Sequence, residues 1–136
     1  MTKVVVNGCF DVFHMGHLRL LQYAKSYPQS YVLVLIDSDR RVKELKGASR
    51  PINTEYERAS LLSALRFVDR VEIFDSDQEL INYIKEFDPD VMVKGSDYQG
   101  KPILGAEYCK QIKFYDRYKN FSSTGKIQDI ADRRQL

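Results

Sequence analysis

Three observations predict a doubly wound α/β domain. Apolar runs rich in Val, Ile and Leu recur without polar alternation. Stretches of helical periodicity separate them. Loops dense in Gly, His, Asp, Ser and Lys follow the first, fourth and fifth runs. Continuous apolar strands are buried on both faces, as in parallel sheets covered by helices. Right-handed crossovers then wind the sheet both ways from a central strand, giving a five-stranded parallel sheet of order 3-2-1-4-5 with helices on both faces.

Each element has its own reason. "VVV" (4–6) reads as a buried strand. "HLRLLQYAKSY" (17–27) sets Leu18, Leu20, Leu21 and Ala24 on one helical face, and Pro28 closes it. "YVLVLI" (31–36) is the second strand, and "DRRVKELK" (39–46) is a short basic helix running into "GASRPIN". "TEYERASLLSALRF" (54–67) is a helix with Thr54 as N-cap and Glu57 completing a capping box. "RVEIF" (70–74) is the third strand, and "SDQELINYIKEF" (76–87) is a helix capped by Ser76. "DVMVK" (90–94) is the fourth strand, a short helix falls near 105–110, and "QIKFYD" (111–116) is the fifth strand. "STGKIQDIADRR" (123–134) is the last helix.

The bulk numbers narrow the class. A chain of 136 residues supports one domain, 1–136, around one core. A formal charge of +2 is too weak to argue for nucleic acid or a membrane surface as partner. No apolar run approaches a membrane span, and "MTKVVVNGCF" lacks the long apolar core of a signal peptide. Cys9 and Cys109 do not make a disulfide framework, so a reduced, cytoplasmic protein is expected.

Ligands of such sheets bind beyond the carboxyl ends of the strands, where the winding reverses. With strands 1, 4 and 5 adjacent, "NGCFDVFHMGH", "KGSDYQGKP" and "RYKNFSSTGK" share one rim. His14 and His17 are three apart and share a face where the loop enters its helix. A zinc site would need further ligands, with Cys9 and Cys109 the soft ones on offer. Polar packing in a loop is the plain alternative. An anion site is the third: glycines allow close backbone approach, a helix start presents N–H groups, and imidazoles donate. "GSDYQGK" (95–101) imitates a P-loop, but Pro102 replaces the metal-binding hydroxyl and no long helix follows. Ser122, Ser123 and Thr124 either cap the last helix or help hold phosphate. Lys46, beside a glycine at the rim, either swings over a polyphosphate or stays solvated, and Arg58 is expected on a solvated helix face. Cys9 has no assured base for nucleophilic catalysis.

"GCFDVFHMGH" resembles the H-x-G-H signature of the cytidylyltransferase-like nucleotidyltransferases, and "FSSTGKI" resembles their second, Ser-Ser-Thr signature. With "LKGASRPINTEYERASLLSALRFVDRV" and "DPDVMVKGSDY", the resemblance is strongest to the nucleotidyltransferase domain of ADP-heptose synthases. Ser96 stands where those enzymes usually carry glycine. Glycerol-3-phosphate cytidylyltransferases are similar in size but typically lack the "KG-x-x-RP-x-N" and "KG-x-DY" pair.

The resemblance implies a Rossmann-like fold, commonly a homodimer, that moves a nucleotidyl group from ATP or CTP to a phosphorylated sugar or polyol and releases pyrophosphate. It implies Mg2+ bound through the NTP phosphates, with no metal held by side chains. His14, His17, Lys46 and Arg117 would act on the triphosphate. Gly8, Cys9, Phe10, Gly16, Ser122, Ser123 and Thr124 would line the nucleotide. Asp11 is expected to brace its loop, and Asp11, Asp37, Lys94 and Asp97 form the set nearest base or acceptor. ATP with heptose 1-phosphate is the leading expectation. CTP with glycerol 3-phosphate or another polyol phosphate is the enzymatic alternative, and a catalytically silent nucleotide-binding regulator is the alternative of another class.

Overall fold

The strands form where the apolar runs predict them. In the computed structural model, which describes residues 1–116 and 122–134, β1 is Thr2–Gly8, β2 Ser30–Asp37, β3 Arg70–Phe74, β4 Val91–Gly95 and β5 Gln111–Tyr115. All pairings are parallel and the order is β3-β2-β1-β4-β5, as expected. The helices are α1 Met15–Lys25, α2 Asp39–Lys46, α3 Glu55–Ser63, α4 Asp77–Phe87 and α5 Ser123–Arg133.

Alternate residues of each strand serve opposite faces. Val4, Val6, Val34, Ile36 and Val93 pack with Leu21 and Ala24 of α1 and Leu62 of α3. Val5, Leu33, Leu35 and Met92 pack on the other face with Leu80 and Ile84 of α4. Each fully buried Leu or Ile contributes about 1.5–3 kcal/mol relative to exposure. No helix among the described residues is long and apolar enough to cross a membrane.

Boundaries moved where side chains, rather than periodicity, set the helix ends. The first helix begins at Met15, because His14 is its N-cap, and not at 17. It ends at Lys25, three residues before Pro28, whose ring disfavours helical geometry in the residue before it. α3 stops at Ser63 instead of 67, since the N–H groups of Ala64, Leu65 and Val68 turn to bonds with residues three back. That tightening delivers Leu65, Phe67 and Val68 to the α1/α3 core. Thr54 caps α3 as expected, accepting from Glu57 N. The Glu57 carboxylate instead accepts from the Thr54 hydroxyl and Asn53 Nδ2, so the reciprocal half of the box is not made. The "KGSDYQGKP" loop contains a short 3-10 turn, Ser96–Tyr98, that the apolar pattern could not announce.

Candidate functional site

The carboxyl ends of β1, β4 and β5 open into a cavity of about 300 Å³. Gly8, Cys9, Phe10, His14, Gly16 and His17 form one wall, Lys94 and Asp97 a second, and Ser122, Ser123 and Thr124 a third. Lys46, the last residue of α2, reaches the same space. The structure thus brings together three loops separated by about a hundred residues of chain. Arg117 lies outside the described residues.

The two histidines are held by each other. His14 Nδ1 accepts from Gly16 N at 3.0 Å, and His17 Nδ1 accepts from His14 N at 3.2 Å. Together they make a reciprocal cap on α1, in the roles usually taken by Ser and Glu. The rings stack with centroids 3.8 Å apart. With each Nδ1 committed as acceptor, the neutral rings carry their protons on Nε2. Burial, then the neighbouring His14 and Lys46, push the His17 pKa down to about 3. His17 is therefore a neutral donor at ordinary pH.

The loop holding them is strained. Phe10 and Val12 adopt φ of 52° and 48°, left-handed values that cost on the order of 1–3 kcal/mol each. Asp11 and Asn53 hold the conformation. The buried Asp11 carboxylate accepts from Ile52 N at 2.8 Å, Asn53 N at 2.9 Å and Arg50 Nε at 3.4 Å. Burial opposes its charge, but those donors hold its pKa below the usual carboxylate value. Val12 N donates to Asn53 Oδ1 at 3.3 Å, and the Asp11 carbonyl accepts from the Ser123 hydroxyl. Asp11 thus ties the histidine loop to the 50–53 segment and to the start of α5, and it does not line the cavity.

Asp37 also lies behind the wall rather than in it. It accepts from Arg41 Nε at 2.9 Å and from the Cys9 thiol at 3.4 Å. Burial, and then Asp37, push the Cys9 pKa up to about 11, so the thiol stays protonated. Arg58 corrects the expectation of a solvated helical charge: it is 2% exposed. Its guanidinium donates to the carbonyls of Asn53, Cys9 and Asp37 and to the Asp39 carboxylate, at 2.8–3.0 Å. It joins the ends of β1 and β2 to the loop before α3. The signal available in the sequence was its spacing: Arg58 stands four residues before the buried Leu62, on the same helical face.

The third wall is the start of α5. Ser122 Oγ accepts from Gly125 N at 2.9 Å, and Ser122, Ser123 and Thr124 line the cavity at this helix start. A helix start of this kind favours phosphate. Sequence reasoning missed Asn7, Tyr98 and Tyr115, which also line the space. Asn7 carried a weak signal, as the first polar residue after the β1 apolar run. Among the described residues no group of three or more His, Cys, Asp or Glu comes together as metal ligands.

A doubly wound sheet with two imidazoles, a lysine and a helix start gathered at its switch point is an arrangement suited to an anionic ligand. The chain belongs to the cytidylyltransferase-like family, whose model matches residues 5–128. It is 49% identical over 129 residues to the bifunctional protein HldE of Campylobacter fetus, covering 95% of this chain and 28% of that protein. Identity to HldE of Sulfurimonas denitrificans is 46% over 129 residues, covering 93% and 26%. The chain thus spans about a quarter of the length of these relatives. A lipopolysaccharide core biosynthesis protein from Thermoplasma volcanium superposes with a TM-score of 0.69 at 25% identity, covering 88% of this chain and 99% of that one. A bifunctional NMN adenylyltransferase/ADP ribose pyrophosphatase from Francisella tularensis shares the fold, with a TM-score of 0.65 at 17% identity, covering 96% and 42%.

Proposed function

We propose that this chain, acting as one nucleotidyltransferase domain over 1–136, transfers AMP from ATP to a sugar 1-phosphate. Heptose 1-phosphate is the first candidate acceptor. The observation that carries the reading is the convergence of His14, His17, Lys46 and the α5 start on one cavity. The high identity to bifunctional HldE proteins supports the choice of acceptor.

In this reaction an acceptor phosphate oxygen attacks the α-phosphorus in line. The new P–O bond forms as the bond to the α–β bridging oxygen breaks, and pyrophosphate leaves with the electron pair. Little covalent help is needed, so positioning and charge stabilisation carry the rate. His17 and His14 donate from Nε2 to oxygens on which charge develops. Neutral His17 supplies this bond without first losing a proton. Lys46 and the α5 N–H groups hold the leaving phosphates. Gly8 and Gly16 let backbone approach the nucleotide closely, and Arg117 belongs to the same set of triphosphate ligands. Mg2+ would travel with the triphosphate and neutralise its oxygens. A homodimer and a cytoplasmic location belong to the same proposal.

Pyrophosphate release from ATP and CTP, measured across sugar 1-phosphates and polyol phosphates, tests this. ATP with a sugar 1-phosphate should turn over best. Preferential turnover of CTP with glycerol 3-phosphate would overturn the assignment, and no turnover with any pair would favour a silent nucleotide-binding regulator.

A further inference from the structure

Lys46 stands at the far end of a helix that has little core of its own. Val42 is the one buried residue of α2, and residues 43–49 are exposed. Packing at Val42 alone leaves the lysine end unheld. Among the described residues, the side-chain bonds that join α2 to other elements come from its start, at Ser38, Asp39, Arg40 and Arg41. The helix projects from that end as a lever. At about 1.5 Å per residue, Lys46 lies about 10 Å along the axis from Asp39. A turn of about 6° at the base would move it by about 1 Å, a displacement that can cost about 10²-fold in rate.

The bonds at the base are not alike. The pairs Arg40–Asp75 and Arg41–Asp77 stand largely in water, which screens them and lets them hold only weakly. Arg41 Nε donates to the buried Asp37 at 2.9 Å, but this ties α2 to the strand directly before it. The joint to α3 is built differently. Asp39 N donates to Glu55 Oε1 at 3.0 Å, and Glu55 N donates to Asp39 Oδ1 at 2.7 Å. These are the first residues of α2 and α3, and each helix already has its own N-cap, Ser38 and Thr54. The exchange therefore goes beyond ordinary capping: the first carboxylate of each helix accepts the first N–H of the other. Two helix N-termini carry positive partial charge and repel when brought together. Carboxylates placed between them make the approach favourable.

The α3 side of this joint belongs to the histidine wall. Arg58 Nη2 donates to the same Asp39 Oδ1 at 2.8 Å, and its Nη1 donates at 2.9 Å to the carbonyl of Cys9, where the histidine loop begins. Asn53, two residues before Glu55, donates its N–H to Asp11 of that loop. The start of α3 is thus fastened to the loop that carries His14 and His17. The exchanged pair carries that frame across to α2. Neither Asp39 nor Glu55 lines the cavity.

We propose that the reciprocal Asp39–Glu55 pair sets the position of Lys46 against His14 and His17, which makes both carboxylates positioning residues. The inference rests on the reading of Lys46 as a triphosphate ligand given above.

The test is steady-state pyrophosphate release by the full chain, with ATP and the acceptor that it turns over best. Glu55→Ala removes the acceptor for Asp39 N and leaves Thr54 to cap α3. It should lower kcat/KM for ATP about tenfold, whereas Glu55→Gln, which keeps an oxygen at the same reach, should stay within about threefold. In a Lys46→Met background Glu55→Ala should cost less than about twofold, because the group being positioned is gone. A merely structural role predicts the same loss in both backgrounds, and that additivity would overturn the proposal. Undiminished kcat/KM in Glu55→Ala would overturn it as well. Glu55→Asp, one methylene shorter, supplies the same comparison if Glu55→Ala fails to fold. Should Lys46→Met alone keep full kcat/KM, the reading of Lys46 falls and takes this inference with it. An unaltered chain that is inert with every nucleotide sinks the proposed function and the inference together, a result distinct from an active chain indifferent to Glu55.

Discussion

Helices α1 and α5 both aim their N-termini at one cavity, yet the protein holds them by different means. α1 buries Leu21 and Ala24 completely and is locked at its start by the reciprocal histidine cap. α5 buries none of its side chains, and Ile130 is 59% exposed. Its described attachment to the site is polar: the Ser122 cap and the bond from Ser123 to the Asp11 carbonyl. Hydrophobic burial fixes α1 in place at several kcal/mol, whereas single hydrogen bonds contribute about 0.5–1.5 kcal/mol each. One wall of the site is therefore part of the core, and the other is tethered to it.

The largest test of that contrast is a pair of truncations. Leu21→Ala should destabilise the chain by about 2–5 kcal/mol, as expected for a filled core position. Ile130→Ala, on the exposed side of α5, should change stability by no more than about 0.5 kcal/mol. Urea melts would measure both. Equal losses would break the comparison, by showing that α5 is packed as firmly as α1.

His17→Ala should lower kcat by about 10²-fold, the usual effect of removing a donor that meets developing charge. The same change removes the acceptor for His14 N and should cost about 1 kcal/mol of stability through the lost cap. Rates measured well below the melting temperature separate the two effects. A variant with full turnover and only reduced stability would make His17 a structural cap alone.

The smallest test is pH dependence. The folded pKa of His17, about 3, lies below the 6.5 of the unfolded chain. Between those values the unfolded state binds a proton that the folded state does not, so stability rises with pH and is lost as pH falls below about 6. The slope from this group is at most about 1.4 kcal/mol per pH unit. His17→Gln retains a side chain able to accept at the cap and should flatten that part of the profile. An unchanged slope would mean that His17 is not held neutral by burial.

Much of this architecture was legible in the residue pattern. Val4–Val6, Leu33–Ile36 and Val91–Val93 are buried on both faces, so their apolar runs are unbroken and easy to read. Their parallel order followed from the alternation with helices and the handedness of crossovers. The three site loops were recognisable by composition, because residues at strand ends are released from packing and carry the polar chemistry. The loop supports were not. Arg58 looks like any helical cation until three carbonyls and a carboxylate are found around it. His14 and His17 look like a ligand pair until their Nδ1 atoms are seen to accept from backbone.

The sequence by itself determined what can be read one residue type at a time: buried strands, helix caps such as Thr54 and Ser76, and the family signatures in the loops. Tertiary structure alone decided which atoms remain unpaired and which way each wall faces. Those properties depend on strand register and on contacts between segments far apart in the chain, such as Asp11 with Asn53 and Ser123. A hydrogen bond is made or missed over a few tenths of an ångström, and no local pattern of side chains encodes that distance.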